Sequence, residues 1–173
     1  MHLETERLRF ISLPLSVIRR RLKVDDFTAG VETPAGPLTV HFPPEWPGDA
    51  LGFFATWAAH HDPADPQWGG TLVRTSDGRA IGQIGVKGEP DAAGRLEIGY
   101  GLNPEAWGQG YATEAVRALV AALLRRPDVR TVTAETATTN PASARVLEKS
   151  GFVRVGTGHN DEDGDLLLWT TPG

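Results

Sequence analysis

The fold is decided by residues 95–124, RLEIGYGLNPEAWGQGYATEAVRALVAALL. The first eight, RLEIGYGL, are rich in strand-forming residues and read as a β-strand. The end of the stretch is an amphipathic helix: Val116, Leu119, Val120, Leu123 and Leu124 recur at i, i+3, i+4, i+7 and i+8, one buried face. Thr113 and Glu114 suit its start, Arg125 and Arg126 its end, and Pro127 stops it. Between strand and helix stands Trp107-Gly108-Gln109-Gly110-Tyr111-Ala112. Glycines at that place let a bulky anion approach the backbone with no Cβ in the way. The first N–H groups of a helix have no intrahelical partner, and the helix dipole adds partial positive charge. A phosphate or pyrophosphate is the natural guest. A flexible connection would use the same residues, so the glycines alone do not decide. No Lys-Ser or Lys-Thr pair follows them, and the preceding layout is not a Rossmann unit, so the common nucleotide signatures fail.

Working outward, RLRFIS (7–12) reads as a short strand and Leu15–Leu22 as a helix. Residues 25–50, with TPAGPLTVHFPPEWPGD at their centre, are dense in Pro and Gly and predict an irregular insertion. DALGFFATWAAHH (49–61) predicts a helix ended by DPADP, with Phe53, Phe54 and Trp57 as its apolar residues. TLVRT, AIGQIGVK and RLEIGYGL, separated by SDGR and PDAAG, predict an antiparallel meander. RTVTAET follows as a strand, then a helix capped by Asn140, with Pro141 in its first turn and Gly151 at its exit. FVRVG and DLLLWT are final strands joined across HNDEDG. This order predicts a mixed α/β (α+β) domain with a late crossover.

The 173 residues, 40% of them hydrophobic, fit a single domain over 1–173. With 22 acidic and 17 basic side chains the net charge is -5, which argues against nucleic acid as a partner. The absence of cysteine excludes disulfides, thiolate catalysis and cysteine-bound zinc. MHLETERLRF has no signal-peptide core, and the apolar run LVAALL is too short to span a bilayer. A soluble cytoplasmic protein with no membrane partner is expected.

ERLRF, LEIGYGLNPEAWGQGYATEAVRALV and NPASARVLEKSGFVRVG together resemble the GNAT superfamily of acyl-coenzyme A-dependent N-acyltransferases. The branch they look most like is that of the ribosomal-protein N-terminal acetyltransferases. The resemblance is strongest over 96–156 and is not carried by residues 25–50. It implies a mostly antiparallel central sheet flanked by helices, with a pyrophosphate-binding loop before the central helix. Acetyl-coenzyme A is then the co-substrate, no metal is needed, and the acceptor is a small amine or a peptide or protein N-terminus. A homodimer is common in the family. The family's loop pattern is Arg/Gln-x-x-Gly-x-Gly/Ala; Gly108 and Gly110 match it, and Glu105 departs from it at the first place. Cofactor contacts are expected from Leu102, Trp107, Gly108, Gln109, Gly110, Tyr111, Ala112, Thr113, Asn140 and Ser143. Residues 25–50 are expected to cover the acceptor.

Amine acetylation needs a base, a stabilised oxyanion and a protonated leaving thiol. Glu97, a carboxylate inside an apolar strand, is the candidate base; its structural alternative is a solvent-facing residue paired with Arg95. The resemblance places the oxyanion donor, a backbone N–H, at about Gly101, although Gly99 and Gly101 would equally relieve packing beside Tyr100. Ser143 and Tyr100 compete as the acid. Coenzyme A is a fair leaving group, so the acid helps without being obligatory. The other class of function consistent with an intact loop is a non-catalytic acetyl-coenzyme A-binding regulatory module. Calcium at HNDEDGD is rejected, because His159 and Thr170 stand where Asp and Glu are required. His60-His61-Asp62 reads as a solvated helix end, and Trp46, Phe53, Phe54 and Trp57 as core.

Overall fold

A computed structural model of the protein describes residues 2–62 and 68–173. The chain forms two compact units, Met1–Ile84 with Tyr100–Tyr111, and Gly85–Gly99 with Ala112–Gly173. In the first unit lie β1 (Leu3–Glu4), β2 (Leu8–Ile11), α1 (Leu15–Arg21), β3 (Phe27–Thr33), β4 (Gly36–Phe42), α2 (Leu51–Ala59) and β5 (Gly69–Arg74). It also holds most of β6 (Arg79–Lys87) and the end of β7 (Arg95–Leu102). The strand order there is β1-β2-β5-β6-β7, so the three strands expected as a meander are successive neighbours. β2 pairs antiparallel with both β1 and β5.

Residues 27–42 are not irregular. They fold as a seven-residue antiparallel hairpin, β3 against β4, from Phe27↔Phe42 to Thr33↔Gly36. The prolines that argued against regular structure sit outside the ladder or near its ends. Pro34 is in the turn; Pro43, Pro44 and Pro47 follow β4. The alternation of Phe27, Val31, Val40 and Phe42 toward one buried face governs the segment instead. Phe27 stacks on Phe42 with centroids 5.1 Å apart, and Trp46 packs against Phe42 at 4.6 Å and Phe54 at 5.5 Å. From α1, buried Arg21 donates to the Trp46 carbonyl at 2.8 Å and the Pro44 carbonyl at 3.1 Å, fixing the exit of the hairpin. Trp46 and Phe54 are core, as expected; Phe53 and Trp57 are exposed and stack on each other. α2 stops at Ala59 with His60 at its C-cap. Of the predicted DPADP stop, residues 63–66 lie outside the described residues.

The second unit holds the ends of β6 and β7 that the first does not. With them are α3 (Tyr111–Leu123) from Ala112 on, β8 (Thr131–Ala137), α4 (Pro141–Lys149), β9 (Val153–Asn160) and β10 (Gly164–Thr170). The order is β6-β7-β8-β10-β9. β7 and β8 are parallel, the pairing that demands a crossover helix, and α3 supplies it. β10 is antiparallel to both β8 and β9, so the sheet is mixed. On α3 the predicted face is buried at Val116, Leu119, Val120 and Leu123. Leu124 is 42% exposed, because the helix has already ended. Asn140 caps α4 as expected, its side chain accepting the Ser143 N–H at 3.2 Å, and Gly151 exits at φ +89°. HNDEDG is a hairpin turn in which Asn160 accepts the Asp163 N–H at 2.6 Å. Among the described residues no helix is long and apolar enough to cross a membrane.

Candidate active site

In the first unit the loop glycines are set by backbone conformation. Gly108 has φ +70° and Gly110 φ +83°, the left-handed region that side chains resist. A Cβ on Gly108 would meet nothing within 4 Å, so crowding is not the reason for glycine there. Side chains hold the loop on both flanks. The Gln109 amide donates to the Glu105 carbonyl at 2.9 Å, and the Trp107 indole N–H donates to the Leu102 carbonyl at 2.9 Å, leaving its ring 64% exposed. Arg7 donates to the Gln109 carbonyl at 2.9 Å and lays its guanidinium over the Tyr111 ring, 4.3 Å from the centroid. These contacts bring Leu102, Trp107, Gln109 and Tyr111 into one braced turn at the start of α3.

Glu105, the departure from the family pattern, is the inner end of a chain of charges. Arg79 of β6 grips its carboxylate in bidentate fashion, Nε to Oε1 at 2.5 Å and Nη2 to Oε2 at 2.9 Å. The Glu105 hydrogen bond holds the Arg79 guanidinium above its ordinary range, against the opposing effect of burial. A guanidinium has no acceptor, so the 3.1 Å contact of Arg79 Nη1 with His41 Nδ1 makes that nitrogen the acceptor. His41 Nε2 is then the donor to Asp26 at 2.7 Å. The hairpin β3–β4 thus braces the residue that opens the loop. Sequence reasoning missed the role of both arginines: Arg7 lay in a segment read as a strand and as part of the family resemblance, and Arg79 meets Glu105 through the fold rather than through spacing.

At the end of β7 the Asn103 N–H donates to the Ile81 carbonyl of β6 at 2.7 Å. A Cβ on Gly82 of β6 would stand 2.3 Å from the Gly101 carbonyl oxygen, so the two backbones approach closely at the residue expected to supply the oxyanion amide.

In the second unit, Glu97 sits between fully buried Leu96 and Ile98. Its partner is Lys87, Nζ to Oε1 at 2.7 Å, and not Arg95, which bonds Asp91 at 2.8 Å. Pairing of β7 with β8 runs from Arg95↔Thr131 to Ile98↔Ala134, while β8 continues along β10 to Ala137. Ala112 and Thr113 lie in the first turn of α3, and Asn140 and Ser143 are joined at the start of α4.

The chain matches the acetyltransferase (GNAT) domain model over residues 17–153. It belongs to the GNAT family. YjdG of Bacillus subtilis, an N-acetyltransferase by name, is 28% identical over 158 residues, 87% of this GNAT chain and 89% of that protein. A GNAT-family acetyltransferase from Bacillus anthracis shares the fold, with TM-score 0.66, 20% identity and coverage of 98% and 97% of the two chains. The aminoglycoside acetyltransferase AAC(6')-Ib, solved with coenzyme A and kanamycin, has TM-score 0.51 and 25% identity over 61% of this chain and 67% of that one. The protein is accordingly an acetyltransferase of the GNAT type.

Proposed function

We propose that this GNAT enzyme moves the acetyl group of acetyl-coenzyme A to a primary amine by direct attack in a ternary complex. The observation that carries the reading is the Gly108–Gly110 turn, both glycines at positive φ, at the start of α3. There the unpartnered helix amides meet an anion with no Cβ between them. Leu102, Trp107, Gln109, Tyr111, Ala112 and Thr113 complete the pyrophosphate cradle, and Asn140 and Ser143 flank the pantetheine arm.

The chemistry runs as follows. Glu97 takes a proton from the acceptor ammonium, and the neutral amine attacks the thioester carbon. A C–N bond forms, the C–S bond breaks, and the thiolate is protonated by Ser143, with Tyr100 as its rival; the second proton shed by the attacking nitrogen passes to solvent, which reprotonates the acid. The oxyanion is met by a backbone N–H of β7 at about Gly101. A preorganised donor of this kind contributes about 3 kcal/mol. The acceptor is a peptide or protein N-terminus or a small amine; the resemblance favours the N-terminus, and the net charge of -5 favours cationic acceptors. The β3–β4 hairpin is proposed to cover it.

Initial velocities with both substrates varied test the order of events. Intersecting lines are expected; parallel lines would mean an acetylated enzyme and overturn direct attack. Glu97→Gln is expected to lower kcat by about 100-fold. Full activity of that variant across pH would remove Glu97 from the mechanism, and less than a few-fold loss in Ser143→Ala would do the same for Ser143.

A further inference from the structure

The Lys87 side chain does what an acceptor amine must do. Its ammonium nitrogen rests 2.7 Å from Glu97 Oε1, on the carboxylate proposed above as the base. Its stem lies along β7 over Gly99, where a Cβ would stand 3.0 Å from Lys87 Cε. An alanine there would push the Lys87 stem aside by a few tenths of an ångström. The carboxylate is 30% exposed and the lysine 57%, so the pair is open to solvent and to an incoming molecule. All three residues belong to one unit of the chain. An external amine that takes up Glu97 Oε1 displaces a primary amine already there.

We propose that Lys87 is an internal acceptor: with no external amine present, the enzyme acetylates its own Lys87. The inference rests on the reading of Glu97 as the base. Glu97 takes a proton from the Lys87 ammonium, and the neutral Nζ attacks the thioester carbon of acetyl-coenzyme A. The C–N bond of an amide forms and the C–S bond breaks; the attacking nitrogen gives its second proton to solvent, and the departing thiolate takes one up to leave as the thiol of coenzyme A. The product carries no charge at residue 87 and no longer competes for Glu97. Lys87 therefore acts as a stand-in for the substrate before modification, and its acetylation opens the carboxylate to external amines.

The chain contains three lysines, Lys23, Lys87 and Lys149, so the test reads cleanly. The full-length protein is incubated with acetyl-coenzyme A alone, and each lysine is followed by peptide mass spectrometry beside a heat-denatured control. Lys87 is expected to gain acetyl at least about tenfold faster than Lys23 and Lys149, at a rate constant independent of protein concentration because the amine is already positioned. Glu97→Gln should remove that advantage. Gly99→Ala, which keeps Glu97 but crowds the Lys87 stem, should reduce it, with melting curves showing both variants folded. Equal rates at the three lysines in the native protein would overturn the proposal, as would an undiminished Lys87 rate in Glu97→Gln. External-amine turnover separates the two levels. If it falls in Glu97→Gln while native Lys87 shows no preference, only the internal acceptor is wrong. If it is untouched, Glu97 is not the base and both fall together.

Discussion

Gly82, Gly108 and Gly110 are glycines for different reasons, and substitution separates them. At Gly82 a Cβ would meet the Gly101 carbonyl at 2.3 Å and Leu102 at 2.7 Å, so strand must move from strand. Gly82→Ala is expected to cost about 1–3 kcal/mol of stability in denaturant unfolding, as overpacking does. Gly108→Ala has room but the wrong φ, and should cost about 1–2 kcal/mol while weakening coenzyme A binding. Glu105 makes a sharper prediction. If its side chain faced the cofactor, Glu105→Arg would restore the family pattern and tighten binding. Because Arg79 holds it, Glu105→Arg should set two guanidiniums together, loosen the loop and raise the Kd for coenzyme A severalfold in a calorimetric titration. The partner of Glu97 shows what sequence could not supply. Arg95, its near neighbour, is taken by Asp91, whose carboxylate also accepts the N–H groups of Ala93 and Arg95 in the preceding turn. That frees Glu97 for Lys87, ten residues away, and only the pairing of β6 with β7 brings the two together.

Among the elements, α3 and α4 were readable because their signals are local: a 3.6-residue apolar face, a cap, a stop. Asn140→Ala is expected to destabilise the protein by about 1 kcal/mol, measured by unfolding, since it removes the acceptor for the Ser143 N–H. The β3–β4 hairpin was not readable, because composition registers how many prolines a segment has and not which face its valines and phenylalanines share. The turn between β5 and β6 carries a pH dependence. Hydrogen bonds from Arg74, at 3.0 and 2.6 Å, hold the Asp77 carboxyl below its ordinary range, helped by the Arg79 N–H. A carboxyl depressed by folding contributes stability above its unfolded value, about 3.9, and loses it as pH falls through the folded value. Stability should therefore fall on acidification below about pH 4, and Asp77→Asn should flatten part of that fall in melts recorded from pH 5 downward.

Across the whole chain, a parallel β7–β8 pair beside antiparallel neighbours gives the mixed sheet expected from the order of elements, and the family expected from the motifs is the one whose domain model matches residues 17–153. The glycine turn before α3 could be read because glycine spacing ahead of a helix is a local signal, and both glycines take positive φ. The central claim, acetyl transfer to an amine, is tested most directly by following thiol release from acetyl-coenzyme A over a panel of N-terminal peptides, amino acids, polyamines and aminoglycosides, with cofactor binding measured in the same samples. The account predicts saturable binding and release with one acceptor class well above the rate without acceptor. Binding with no release from any amine, or no binding at all, would contradict it.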